Sequence, residues 1–170
     1  SRGLGDVYKR QIFTERFAGI NRHFGEIFRE LLGGGHAELR LTDATDPLET
    51  GIEIIVQPPG KIIKNLSALS GGEQAFVAIC IYFAILRVNP APFVLIDEIE
   101  AALDDVNVAK FAAYLHRMTD HTQFISITHR RGTMEQGDVL YGVTMEEEGI
   151  SKLLRLDVAE MEKKFGKSLN

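Results

Sequence analysis

Phe93-Val94-Leu95-Ile96 form an unbroken apolar run that begins after Pro90 and Pro92 and stops at Asp97-Glu98. A run this short, bounded by prolines, predicts a strand. Its continuous apolarity predicts that both faces are covered, as in a parallel sheet. A helical pattern over about 105–118 follows, and then a second apolar strand over 123–128 that ends at His129. Strand, helix and strand make a βαβ unit with an expected right-handed crossover. The class is therefore α/β.

Upstream, the pattern turns helical at Ile12. Phe13, Phe17, Ile20, Phe24, Ile27 and Leu31 recur every three or four residues and line one face. Gly33-Gly34-Gly35 stops that helix. Residues 1–11 are polar, glycine-bearing and without periodicity, and read as a leader foreign to the fold. Two short strands, 37–41 and 52–57, flank a turn-rich segment containing Pro47, and Pro58-Pro59-Gly60 closes this hairpin-like unit. A second helix opens at Ser70 and runs to about Val88, apolar nearly all round and so buried between layers. The tail predicts strands over 139–145 and 152–156, then a charged helix over 158–165. No internal repeat or low-complexity tract interrupts this order.

Composition excludes several classes. The chain has 170 residues, 45% hydrophobic and 25% charged, in the range of soluble globular proteins. Its 19 Lys and Arg stand against 24 Asp and Glu, a net charge of -5, which argues against wrapping nucleic acid with most of the surface. Arg16, Arg22, Arg29, Lys61, Arg130 and Arg131 could form a local basic patch, but solvated surface is the simpler reading. The lone Cys80 lies in an apolar stretch, excludes an intramolecular disulfide and fits a reducing compartment. The longest apolar run, 75–86, falls short of the roughly 20 residues of a membrane span, and no secretory signal is visible. The expected location is the cytoplasm, with no membrane partner.

The candidate chemistry lies at element ends. Ser70-Gly71-Gly72-Glu73 opens the apolar helix, where Ser70 and Glu73 can form a capping box. The same residues can serve a ligand, since two glycines let backbone N–H groups approach it and a helix N-terminus attracts phosphate. Asp97 and Glu98 sit at the C-terminal edge of their strand, where α/β sheets bind ligands. A carboxylate there can support the Mg²⁺ of a nucleotide, and a second can polarise a water. Solvated acidic residues at a strand end are the plainer alternative. Asp104 can cap the next helix. His129, at the end of the parallel neighbour, should come near Glu98, where an imidazole could contact phosphate or orient water.

Leu69-Ser70-Gly71-Gly72-Glu73-Gln74, the strand ending in Asp97-Glu98, Ala101-Ala102-Leu103-Asp104 and His129 follow one another in the order of an ABC-type ATPase, and resemble its signature motif, Walker B strand, D-loop and switch histidine. A P-loop needs glycine, four residues, then Gly-Lys and Ser or Thr. Gly60-Lys61 is followed by Ile62, and Gly33-Gly34-Gly35 by no lysine, so neither qualifies. A signature half without its phosphate cradle resembles the C-terminal head half of structural maintenance of chromosomes (SMC) proteins, in which a long coiled coil separates the two halves. Pro58-Pro59-Gly60-Lys61, Ile127-Thr128-His129-Arg130 and Leu140-Tyr141-Gly142-Val143-Thr144-Met145 are similar to segments of that family, and the details favour its bacterial chromosome-partition members.

The resemblance covers about residues 13–156. It implies the C-terminal lobe of an ABC-type P-loop ATPase head: a mostly parallel sheet flanked by helices, a small β-hairpin and the stub of a coiled coil. Residues 1–11 are unmatched, 12–33 are the coil end entering the head, and 34–170 are the lobe. The implied cofactors are ATP and Mg²⁺. Asp97 holds Mg²⁺, Glu98 activates water, Asp104 and His129 complete the site, and Ser70, Gly71 and Gly72 meet the γ-phosphate held by a partner head. Implied partners are the P-loop half of the same protein, a second head in a homodimer, a kleisin subunit and DNA, on the nucleoid, in chromosome condensation and segregation. The chain alone would then be an inactive fragment. A coiled-coil double-strand-break repair ATPase is the alternative within the superfamily, and a non-catalytic binding module the alternative outside it.

Overall fold

The computed structural model describes residues 2–62, 64–147 and 149–158. Helix α1, Arg2–Leu32, leads into strands β1, His36–Leu41, and β2, Ile52–Gln57, which pair antiparallel with Ala37 opposite Val56. The two-residue strand β3, Lys64–Asn65, adds a third member. Helix α2, Gly71–Val88, follows, then strand β4, Phe93–Asp97, helix α3, Asp105–Arg117, and strand β5, Gln123–Ile127. Strands β4 and β5 pair in parallel, with Asp97 opposite Ile127. A short helix α4, Arg131–Met134, precedes the antiparallel hairpin of β6, Val139–Glu147, and β7, Ile150–Asp157. Parallel pairing among the described residues is thus confined to the βαβ unit.

The core lies where α1, α2 and α3 meet. Phe24, Ile27, Phe28 and Leu31 from the α1 stripe join Phe76, Val77, Cys80 and Phe83 from α2 and Val108, Phe111, Ala112 and Leu115 from α3. The Phe83 ring stacks on Phe111 at 5.8 Å and tilts against Tyr114 at 5.0 Å. Arg87 and Arg117 lie over the Tyr114 ring, 5.6 and 5.0 Å from its centroid. Burial pushes the Cys80 thiol up to about 12, so this cysteine is an inert packing residue, as its neighbours suggest. By length and composition α2 could cross a membrane, with a mean hydropathy of 1.4 over 18 residues. Its buried face instead packs against α1 and α3, as a core helix does.

The glycine stop has a physical cause. Gly33, Gly34 and Gly35 all have positive φ, and the Gly34 N–H closes the helix onto the Arg29 carbonyl at 2.8 Å. At Gly35, with φ 88°, an added Cβ would stand 2.3 Å from the Gln57 carbonyl oxygen. Only glycine lets the chain turn from α1 into β1 against β2.

Three expectations meet a different or undescribed arrangement, and one strand was not expected. Helix α1 starts at Arg2, well before Ile12, so most of residues 1–11 continue it. Val7 and Tyr8 there are exposed, and with no core beneath them the first turns show no apolar stripe to read. The double covering expected for β4 is half fulfilled. Val94 and Ile96 are buried, but Phe93 is 63% exposed, Leu95 60%, and Ile125 and Ile127 on β5 50% each. The strand β3 is too short for an alternating pattern to reveal it. The charged helix expected over 158–165 lies, from residue 159 on, outside the described residues.

Candidate functional site

The capping box at Ser70 is fully formed. The Ser70 Oγ accepts the Glu73 N–H at 3.4 Å and donates to Glu73 Oε2 at 2.8 Å, and the Ser70 N–H donates to the same oxygen at 3.0 Å. Lys61 adds an ion pair with Glu73 Oε1 at 2.8 Å. The Gln74 amide holds the preceding loop by donating to the Leu66 and Leu69 carbonyls. Gly72 sits in close approach to the turn after β4, where an added Cβ would meet the Ala102 carbonyl oxygen at a tight 3.1 Å. The signature-like loop therefore rests on the turn after β4. Between them lies a cavity of about 210 Å³, lined by Ser70, Gly72, Glu73, Leu103, Asp104 and Asn107 among others.

The Lys61 ammonium, with the Ser70 N–H and hydroxyl, holds the Glu73 carboxyl down to about 2, against an ordinary value of 4.5. A depressed folded-state value means that the carboxylate contributes stability above pH 4.5 and loses it as pH falls toward about 2. Chemical unfolding across pH should show wild type more stable than Glu73→Gln at pH 7, with the gap closing between about pH 4.5 and 2. A gap independent of pH would remove the ion pair from the loop's support.

The second cluster sits at the C-terminal edge of β4 and β5. Asp97 ends β4 and is exposed. Glu98 follows in the left-handed region, φ 47°, an uncommon conformation for a residue with a side chain. Its N–H donates to the Ile127 carbonyl at 3.0 Å, and its own carbonyl accepts the Ala101 N–H at 3.0 Å. His129 Nδ1 lies 3.1 Å from Glu98 Oε1, the proximity expected of adjacent parallel strands. Both side chains are at least half exposed. Asp104 caps α3, with Oδ1 accepting the Asn107 N–H at 2.8 Å.

The candidate residues thus form two groups: Ser70, Gly72 and Asp104 around the cavity, and Glu98 with His129 at the strand edge. Gly71 borders the first group, and the space where a Cβ would stand is open, with no heavy atom within 4 Å. Asp97 lies at the same strand edge, opposite Ile127 in the register and directly before Glu98. Among the described residues no three His, Cys, Asp or Glu side chains gather in a way that could hold a metal. Mg²⁺ typically takes one or two carboxylates, waters and substrate phosphates, so the exposed Asp97 fits a site shared with a nucleotide.

Sequence reasoning missed the supports around these groups. Glu100 is buried and takes hydrogen bonds from the hydroxyls of Thr128 and Thr133. Arg130, considered above for a basic patch, donates to the Leu103 carbonyl and to Asp105, both at 2.9 Å. Arg16 donates to the Val88 carbonyl, and Arg131 pairs with Glu135, so these cations are held within the chain. The signal for Glu100 was its spacing two residues after Glu98, but nothing local marked it as buried.

A family model described as the RecF/RecN/SMC N terminal domain matches residues 11–152. The chain is 57% identical over 151 residues to the chromosome partition protein Smc of Desulfitobacterium hafniense (strain Y51), a stretch covering 89% of this chain and 13% of that protein. The chain therefore spans a small part of that relative's length. Among solved structures, it resembles the Smc head domain with an extended coiled coil from Pyrococcus furiosus, bound to the C-terminal domain of ScpA. The TM-score is 0.86 at 39% identity, covering 97% of this chain and 41% of that one. A chain from work on ATP-driven dimerization and DNA-stimulated activation of SMC ATPases matches with a TM-score of 0.81 at 38% identity, covering 95% of this chain and 98% of that one.

Proposed function

The chain belongs to the RecF/RecN/SMC family, and from that premise we propose that it is the signature half of an SMC ATPase head, working in chromosome partition with a P-loop half from the same protein. The observation that carries this reading is the uncovered apolar side of the parallel pair. Phe93, Leu95, Ile125 and Ile127 make a flat apolar face beside the edge that bears Asp97, Glu98 and His129. A sheet with one bare apolar face needs a second layer. The P-loop half is proposed to supply it, together with the phosphate cradle absent from this sequence. Residues 34–170 then form the lobe, and α1 enters it from the coiled coil.

The division of the site residues follows. Glu98 acts as general base toward water, with His129 orienting that carboxylate and facing the γ-phosphate. Asp97 would hold Mg²⁺, which would neutralise phosphate charge when bound. Ser70, Gly71 and Gly72 offer a helix N-terminus to the γ-phosphate of a second head, and Asp104 lines the same opening. Because the two groups of residues are separate, one head contributes to two nucleotides: Glu98 to its own, Ser70 to its partner's. ATP thereby joins two heads in a homodimer, and hydrolysis parts them to drive action on DNA. A kleisin is the further partner proposed, because the Pyrococcus furiosus head is bound to ScpA. It is placed on the face away from Glu98 and His129, in the cytoplasm on the nucleoid.

Co-expression with an SMC P-loop half tests the pairing. The two halves should copurify as a complex, and Leu95→Asp should abolish copurification, since a charge on a buried sheet face is costly unless paired. Undiminished copurification of Leu95→Asp would place the P-loop half elsewhere.

A further inference from the structure

Glu100 is 1% exposed, and no ion pair to it exists among the described residues. Its Oε1 accepts the Thr128 hydroxyl at 2.5 Å and the Thr133 hydroxyl at 2.9 Å, while Oε2 is buried without a protein partner. Thr128 Oγ1 also accepts the Arg130 N–H at 3.0 Å, which leaves its proton for Glu100. The Arg130 guanidinium donates instead to the Leu103 carbonyl and to Asp105. A buried carboxylate with only neutral donors is expensive, and an apolar side chain would fill the space at less cost. Packing therefore does not explain it.

Its position does. Glu100 lies two residues after Glu98, and its two donors flank His129 on the neighbouring segment: Thr128 directly follows β5 and Thr133 sits in α4. The carboxylate thus joins the turn carrying Glu98 to the segment carrying His129, from beneath. Glu98 holds φ 47°, and such backbone persists only where its surroundings over-determine it. We propose that Glu100 is a positioning residue that locks the His129 segment onto the Glu98 turn, and so sets the Glu98–His129 pair for attack by water. This rests on the ATPase reading above.

The test uses heads assembled from this chain and an SMC P-loop half, with Mg-ATP as the probe. Glu100→Gln keeps an oxygen that can accept both hydroxyls and should hydrolyse ATP within about threefold of wild type. Glu100→Leu loses both bonds and should drop kcat by about tenfold or more. KM for ATP and ATP-dependent head dimerisation should stay within about threefold of wild type, because the phosphate cradle and the Ser70 to Gly72 loop, which carry most of the binding, are untouched. Thr133→Val should show a smaller loss with the same split. Wild-type turnover by Glu100→Leu overturns the proposal. So does a Glu100→Gln loss as deep as that of Glu100→Leu, which would assign the effect to charge. If Glu100→Leu does not fold, Thr128→Val with Thr133→Val decides the matter, and an unchanged kcat overturns the proposal. Normal hydrolysis by Glu98→Gln in the same assay would instead remove the ATPase reading of Glu98.

Discussion

In assembled heads, Glu98→Gln should bind ATP and remain engaged while hydrolysis falls by about 10²–10⁴-fold, the worth of a general base. Glutamine keeps the shape of the side chain, and its amide oxygen can still meet His129 Nδ1, which lies 3.1 Å from Glu98 Oε1 in the wild type. What disappears is the capacity to take a proton from water. The backbone of Glu98 is fixed by the Ile127 carbonyl and by the turn to Ala101, so the substitution should leave the fold as it is. Single-turnover hydrolysis with separate nucleotide-binding and dimerisation assays makes the distinction. Near-normal turnover would mean that another residue activates the water.

Ser70→Arg should be as severe by a different route. Ser70 caps α2 through a complete box, so losing the cap costs about 1 kcal/mol of stability. Ser70→Asn should be mild as far as the cap is concerned, since asparagine caps about as well. If capping were the whole role, Ser70→Arg heads would be slightly less stable and otherwise active. The proposed contact with a second head's γ-phosphate predicts more, because the arginine side chain would obstruct the opening beside Gly71 and Gly72. Nucleotide binding by each head should survive, ATP-dependent dimerisation should be lost, and hydrolysis should be lost with it. Ser70→Arg heads that dimerise and turn over ATP would reduce the loop to a helix cap.

The parts of this architecture that were legible in sequence are those with local causes. Prolines and a terminal carboxylate delimit β4, the Ser70 to Glu73 spacing marks the start of α2, and three glycines end α1. The meeting of Glu98 and His129 followed from placing two short strands side by side in parallel. What remained hidden depends on distant partners or on their absence. Glu100 is buried by Thr128 and Thr133, 28 and 33 residues away, and no local pattern carries that. Lys61 follows a glycine without completing a P-loop and reads in sequence as surface charge, yet it pairs with Glu73 across the turn before the signature-like loop. The apolar run at Phe93 announces a strand covered on both faces. It does not say that Phe93, Leu95, Ile125 and Ile127 stay exposed on one of those faces.

Calorimetric titration of Mg-ATP into the pure chain, and into the same chain assembled with an SMC P-loop half, probes the half-site directly. Without a phosphate cradle the chain alone should give weak binding or none, whereas the assembled head should bind ATP. Tight, stoichiometric binding by the chain alone would contradict the assignment of this protein as the signature half of a divided head.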